Sequence, residues 1–337
     1  MDWIGILENA LRSGLGPDAA VVAMAAIGLN VQYGYTGLLN FGQVGFMLVG
    51  AYGLGITIDT LGWSMWIGIG VGLLAAVVLA LLLGLPTLRL RTDYFAIVTI
   101  AAAEILRFVA RSTSATDVTG GPFGLPKPQS GGKKNLASSF ADLNPFANGR
   151  RYGFGQLSYS GRDLWTLLVT WALVALFTLL VIRLMRSPWG RILKSIREDE
   201  DVVRSLGKNA FSYKMQALVL GGVIAAFGGI MLTLGNSSVG ANSYQPQVTF
   251  FAYAVLILGG AATPFGPVIG AFLFQFLFAG SQSLLAQLGD HGHLPEVLRG
   301  DEAQGALALG LVGVGLMLLM AFRPQGIFGS REEMALG

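Results

Sequence analysis

The sequence contains no cysteine and only two histidines. Without cysteine, disulfides, thiolate metal sites and cysteine nucleophiles are excluded. His291 and His293 stand together without an acidic cluster nearby, and no nucleophile elbow is present. We therefore expect no metal site and no catalytic residue, so the chain is not expected to be an enzyme. The nucleotide-binding pattern G-x-x-x-x-G-K-[ST] is also missing, and we expect this chain to bind no cofactor, ATP included.

Charged residues are scarce as well. They make up 12% of the 337 residues, whereas a soluble domain has about 25%. Hydrophobic residues reach 53%, and the 48 glycines are about twice the usual share. A soluble protein of this composition would expose large apolar patches, whereas glycine is common where membrane helices pack closely. The composition therefore indicates an integral membrane protein, and the small net charge of +3 does not suggest a nucleic-acid partner.

Apolar runs long enough to cross a bilayer recur along the chain. A spanning helix needs about 20 apolar residues. Candidate spans lie at 18–34, 37–58, 64–86, 93–111, 163–183, 213–235, 247–263, 266–286 and 304–322. Glycines interrupt the stretch 18–58, which is either two spans or one span with a re-entrant piece. We therefore predict an all-α polytopic membrane protein with about 8–10 transmembrane helices, some of them broken or re-entrant.

The distribution of lysine and arginine predicts the orientation. Residues 183–214 hold eight of them, so this connection is predicted to be cytoplasmic. The C-terminal tail then falls on the same side, and the acidic connection 287–303 falls outside. Residues 112–162 are also predicted to lie outside, although they carry several basic residues. The rule is weaker for loops of this length.

These assignments divide the chain into five segments. They are an N-terminal segment (1–17), N-terminal transmembrane helices (18–111), an extracellular or periplasmic loop (112–162), C-terminal transmembrane helices (163–322) and a cytoplasmic tail (323–337).

Residues 187–207 are predicted to form one amphipathic cytoplasmic helix of about five turns. Ser187 is suited to the N-cap, Pro188 to the first turn and Gly207 to the left-handed position after the last. The apolar residues that fall near one face are Ile192, Ile196, Val203 and Leu206. A simple connector or a membrane-surface helix are alternatives, but the anionic inner leaflet would repel the acidic block 198–201. Both signs of charge beside a narrow apolar stripe favour docking into a groove of a partner protein.

Three stretches of the sequence resemble motifs of one known family. The stretch Gly190–Gly207 resembles the coupling motif of bacterial ABC import permeases, in the form found in LivM-like permeases for branched-chain amino acids. Leu29–Tyr52 and Thr119–Leu125 resemble the same family. The resemblance extends over about residues 20–328, although residues 127–160 are longer and more basic than is usual in the family.

This resemblance implies a permease subunit of an ATP-binding-cassette importer that moves branched-chain amino acids across the bacterial plasma (inner) membrane. The implied partners are a second permease subunit, two cytoplasmic ATPase subunits that bind the ATP, an extracellular or periplasmic substrate-binding protein and membrane lipid. The residues implied in coupling to the ATPases are Arg197, Glu198, Asp199, Glu200, Asp201 and Gly207.

Neutral polar residues lie among glycines between residues 30 and 45, where the first two candidate spans meet. They are Asn30, Gln32, Tyr35, Thr36, Asn40 and Gln43. Irregular backbone at membrane depth is tolerated where protein buries it or where it lines a cavity, and broken helices often surround transported substrates. These residues therefore either line the translocation path or form hydrogen bonds between closely packed helices.

Glu104 is an acidic residue well inside the predicted span 93–111. Glu104 stands three residues before Arg107, so the two side chains share a helix face. Glu104 is either a contact on the translocation path or half of a structural ion pair near the external edge.

Three other functions stay open at this point. The first is the same importer with another cargo, such as urea, short amides or another amino acid. The second is an ion-coupled secondary transporter, for which Glu104 is the candidate coupling residue. The third is a membrane scaffold without transport.

Overall fold

The structure, a computed structural model, describes residues 2–88, 92–126, 136–146, 150–154, 157–290, 295, 300–323 and 325–328. The helices in the N-terminal half are α1 (Trp3–Leu15), α2 (Pro17–Leu29), a π-helix (Asn30–Gly34), α3 (Gln43–Asp59), α4 (Met65–Thr87), α5 (Thr92–Arg111), α6 (Thr116–Thr119) and α7 (Ser138–Asp142). Those in the C-terminal half are α8 (Gly161–Met185), α9 (Pro188–Glu198), α10 (Glu200–Ser205), α11 (Ala210–Asn236), α12 (Pro246–Gly259), α13 (Gly266–Asp290) and α14 (Asp301–Phe322). One antiparallel hairpin, β1 (Arg151–Phe154) with β2 (Leu157–Ser160), precedes α8.

The predicted all-α polytopic fold is confirmed. Each predicted span overlaps a helix, and α4, α8, α11, α13 and α14 are individually long and apolar enough to cross a membrane. A further span is formed if α1 and the stretch from α2 through the π-helix, which bend by 45° at their junction, cross together. Helices α3 and α12 have 17 and 14 residues, and α5 carries charged side chains. The total of 8–10 spans therefore stays a prediction.

Helix α11 lies at the centre of the bundle and packs against α2, α3 and α4. Glycines allow this packing, because a Cβ added to Gly28 would lie 2.3 Å from the Gly221 carbonyl oxygen. A Cβ on Gly229 would lie 2.0 Å from the Met47 carbonyl oxygen. The backbones of α2, α3 and α11 are therefore in direct contact, as in other membrane bundles rich in small residues. Helices α4, α8 and α14 form the rim and expose apolar side chains.

Contacts between connections define two ends of the bundle. At one end, the Ile327 amide in the tail donates to the Leu258 carbonyl (3.1 Å), and the Asn30 side chain donates to the Thr263 carbonyl (2.8 Å). Helix α9 lies at the same end. At the opposite end, the loop after α5 is joined to the α3–α4 and α11–α12 connections by the bond from the Thr60 hydroxyl to the Val118 carbonyl (3.2 Å) and by the paired backbones of Leu125 and Val239. The tail and the basic connection thus share one end, as the charge pattern predicts.

The glycine contact between α2 and α11 yields a stability prediction. We expect Gly28→Ala to destabilise the subunit by about 1–3 kcal/mol, because the new methyl group overlaps the Gly221 backbone. The matched control is Gly310→Ala on α14, where an added Cβ meets nothing within 4 Å. Thermal unfolding in detergent is the measurement. Equal melting temperatures for the two variants would contradict the close contact.

Candidate functional site

The backbone is irregular between α2 and α3. The Tyr35 amide donates to the Asn30 carbonyl (2.9 Å), an i→i+5 bond that makes this turn a π-helix. Gly37 follows with a φ of +75°, in the left-handed region that favours glycine. Helix α3 begins only at Gln43, so the predicted helical span at 37–58 is wrong in its first six residues. Turns of π type often mark functional positions in helices.

Three side-chain amides, those of Gln32, Asn40 and Gln43, form what we name the amide network. Each residue is 0% exposed. Asn40 Nδ2 donates to Gln32 Oε1 (2.8 Å) and to Gln43 Oε1 (3.0 Å), and Asn40 Oδ1 accepts from the Gly42 amide (2.9 Å). The other amide nitrogens donate to backbone carbonyls: Gln32 to Leu218 (3.1 Å), and Gln43 to Ala25 (3.3 Å) and Gly221 (3.2 Å). The network therefore joins the broken segment to α2 and α11.

The remaining predicted polar residues of this stretch are buried too. Asn30 Oδ1 accepts a hydrogen bond from the Ala262 amide (2.8 Å), and Asn30 Nδ2 donates to the Thr263 carbonyl (2.8 Å). The Thr36 hydroxyl donates to the Val31 carbonyl (2.8 Å). These geometries favour hydrogen bonding between packed elements, the second of the two interpretations. A role for any of these residues in lining the path stays a prediction.

The element at 187–207 is two helices, so the prediction of a single five-turn helix is wrong. Asp199 interrupts it with extended backbone (φ −156°, ψ 108°). Its carboxylate accepts from the amides of Asp201 (2.8 Å) and Val202 (3.1 Å) and so caps the start of α10. The carboxylate replaces the carbonyl oxygens that the amides of Asp201 and Val202 would reach in a continuous helix, so the chain can leave the helical conformation at Asp199.

The predicted ends of this element are partly confirmed. Pro188 occupies the first turn of α9, and Gly207 has a φ of +74° just after α10. Ser187 does not cap α9 with its side chain, since its hydroxyl donates to the Leu184 carbonyl (2.6 Å).

The acidic block separates into two roles. Asp199 and Glu200 hold the element together, because Glu200 binds Arg204 (2.7 Å) and also Lys214 at the start of α11. Glu198 and Asp201 are exposed to solvent. Asp201 also lies 3.7 Å from the Arg204 guanidinium.

The α9–α10 element has an inner and an outer face. On the inner face Leu193, Ile196 and Val203 are buried against the bundle. On the outer face Val202 is 53% and Leu206 is 73% exposed. The prediction that Leu206 shares one face with Ile192, Ile196 and Val203 is wrong, because α10 ends at Ser205 and Leu206, just beyond it, is exposed.

The inner face meets the broken segment directly. Arg197 Nη1 donates to the Gly34 carbonyl (2.5 Å), and Lys194 Nζ lies 5.8 Å from the centre of the Tyr35 ring. The family resemblance implies a part for Arg197 in coupling to the ATPases. Arg197 thus contacts the segment that is predicted either to line the translocation path or to bond between helices. The role of Lys194 was not predicted. Its spacing of three residues from Arg197, which places both on one helix face, was the available signal.

The predicted pairing of Glu104 and Arg107 is present. Arg107 Nη2 lies 2.7 Å from Glu104 Oε2, and Arg107 Nε lies 3.0 Å from Glu104 Oε1. The Glu104 side chain is 25% exposed and the Arg107 side chain is 13% exposed. A bidentate pair of this kind neutralises the carboxylate. The geometry fits the structural alternative, and a role for Glu104 on the path stays a prediction.

Among the described residues, no group of three or more His, Asp or Glu side chains is placed to hold a metal ion. His291 and His293, the histidines considered in the sequence, lie outside the described residues.

Fold and site together define a polytopic helical membrane protein with an amphipathic, two-helix element at one end. The chain matches, over residues 17–321, the family described as the permease component of branched-chain amino acid transport systems, and it belongs to that family. The resemblance found in the sequence is thereby confirmed.

The relatives of this chain differ in the transported substrate that their names give. The high-affinity branched-chain amino acid transport system permease protein LivM of Escherichia coli (strain K12) is 31% identical over 313 residues, 91% of this chain and 67% of that protein. The probable branched-chain amino acid permease LivM of Methanocaldococcus jannaschii is 25% identical over 90% of this chain and 89% of its own. The putative glucose ABC transporter permease protein TsgC13 of Haloferax volcanii is 26% identical over 83% of this chain and 80% of its own.

The amide network yields a second stability prediction. Asn40→Ala leaves acceptors on Gln32 and Gln43 and the Gly42 amide without partners, and each buried group costs about 1–3 kcal/mol. We expect a clear loss of thermal stability in detergent. Asn242→Ala, at an exposed position, is the control. If both variants melt like the unmodified protein, the network does not stabilise the bundle.

Proposed function

We propose that this chain is a transmembrane permease subunit of an ATP-binding-cassette importer that translocates branched-chain amino acids. The observation that carries the proposal is the α9–α10 element. Its inner face is bonded to the bundle, and its outer face exposes Val202 and Leu206 beside the carboxylates of Glu198 and Asp201. Exposed apolar side chains with both signs of charge nearby suit a groove on a partner protein. Membership in the permease family supports the same conclusion.

The proposed partners follow from this function. Two cytoplasmic ATPase subunits bind ATP and dock on the α9–α10 elements, while this chain binds no cofactor and catalyses no reaction. A second permease subunit encloses the translocation path with this one. A periplasmic or extracellular binding protein delivers substrate, and membrane lipid surrounds the pair in the bacterial plasma (inner) membrane.

In the proposed mechanism this chain transmits movement and catalyses no reaction. ATP binding moves the ATPase subunits, and the α9–α10 element moves with them because the outer face is docked. The bonds of its inner face, including Glu200 to Lys214 and Trp189 Nε1 to Gln216 Oε1 (2.8 Å), carry that movement to the start of α11. The path then alternates its access between the two sides of the membrane.

Branched-chain amino acids are the proposed cargo because the E. coli and M. jannaschii relatives bear that name. The H. volcanii relative is named as a putative glucose permease, so the names of the relatives do not all give the same cargo. Urea, short amides or another amino acid are the alternatives. An ion-coupled transporter is disfavoured, because the carboxylate of Glu104 is paired with Arg107 and is not free to exchange an ion.

A charge on the outer face tests the docking surface. We expect Leu206→Asp to lower the recovery of ATPase subunits with the purified complex by about tenfold or more, as for other central interface residues. The subunit itself should reach the membrane normally, because Leu206 is largely exposed. Leu143→Asp, also at an exposed leucine but in the loop at the opposite end, is the control. Undiminished recovery with Leu206→Asp would exclude this docking surface.

Reconstitution tests the transport class and the cargo. We expect proteoliposomes with the complete complex and binding protein to take up leucine only with ATP, and to do so after an ionophore has abolished ion gradients. Excess isoleucine should compete, and excess urea should not. Uptake by this chain alone, driven by an ion gradient, would establish a secondary transporter. Competition by urea or short amides would assign another cargo.

A further inference from the structure

Arg197 closes the end of the π-helix. Its guanidinium supplies the donor for the carbonyl of Gly34, the last π-helical residue, at 2.5 Å. Its aliphatic stem packs on the next turn, because a Cβ added to Gly37 would lie 3.4 Å from Arg197 Cγ. A cation suits this position, since the C-terminal carbonyls of a helix carry partial negative charge.

The π-helix is held as firmly on its other side. A Cβ added to Gly34 would lie 2.8 Å from the Ala262 amide nitrogen, so the two backbones touch. The Asn30 side chain bonds to the Ala262 amide and to the Thr263 carbonyl, both at 2.8 Å. Gly34 therefore cannot move away from Arg197 without moving the connection between α12 and α13.

From these contacts we propose that Arg197 is a positioning residue that transmits movement of the α9–α10 element, through the π-helix, to the α12–α13 connection. The proposal rests on the proposed function but assigns Arg197 a different part in it. Arg197 acts inward on its own subunit, whereas the ATPases are bound by the outer face. Lys194, over the Tyr35 ring, supports the same contact.

The π-helix is suited to respond in a discrete step. A π-turn contains one residue more than an α-turn, so its conversion to α-helix would rotate the following segment by about 100°. That segment ends in the amide network at Asn40 and Gln43. Because packed interiors change between discrete arrangements rather than deforming continuously, loss of the Arg197 bond would favour one arrangement over the other.

The test is the ratio of uptake to ATP hydrolysis in proteoliposomes that hold the complete complex. We expect Arg197→Gln to keep its ATPase subunits and to hydrolyse ATP within about twofold of the unmodified complex, while leucine uptake per ATP falls roughly tenfold. Arg197→Lys keeps the charge and one donor, so its ratio should lie between the two. Arg183→Gln, at an exposed arginine in the last turn of α8, is the matched control and should leave the ratio unchanged.

Two results would overturn the proposal. An unchanged ratio in Arg197→Gln, even with a lower melting temperature, would show that Arg197 only stabilises the fold. Loss of ATPase subunits from Arg197→Gln would show that Arg197 belongs to the docking surface. If Arg197→Gln does not reach the membrane, Arg197→Lys and Lys194→Gln decide, and unchanged ratios in both would overturn the proposal. Absence of ATPase subunits from the unmodified complex would instead refute the proposed function itself.

Discussion

The side-chain amides of Gln32, Asn40 and Gln43 bond to one another and to the backbones of α2 and α11 inside an apolar bundle. An unpaired polar group in an apolar interior costs several kcal/mol, roughly as much as one good core side chain contributes. The chain between α2 and α3 leaves the helical conformation, so its polar groups need other partners. The amide network supplies those partners. The broken segment can therefore lie in the interior, and the contacts with α9 and with the α12–α13 connection depend on it.

Glycine makes that network possible. The Gln43 side chain reaches the Gly221 carbonyl because the helices on either side carry no Cβ at Gly28 or Gly221. Larger residues at these positions would separate α2 from α11 and move the amides beyond hydrogen-bonding distance. Glycine at these two positions thus lets polar groups pair at close range, in addition to its usual part in helix packing in a membrane.

The α9–α10 element shows how one short segment serves two surfaces. Its charges are divided, since Asp199 and Glu200 stabilise the element and Glu198 and Asp201 face solvent. Its buried face contacts the bundle, and its exposed face is the one that we propose for docking.

Composition and hydropathy were sufficient for the membrane class, the position of the helices and the two ends of the bundle, because the requirement for about 20 apolar residues and the placement of basic residues act locally along the chain. Local stereochemistry likewise predicted Pro188 at a helix start and Gly207 in a left-handed conformation. The break at Asp199 and the late start of α3 at Gln43 were not predicted. At each place the conformation depends on whether a polar group bonds to a side chain or to the helical backbone. The contact of Arg197 with Gly34 joins residues 163 positions apart. Only the tertiary structure determines this contact, because a hydrogen bond requires two atoms to be close in space. Positions in the sequence do not specify that distance.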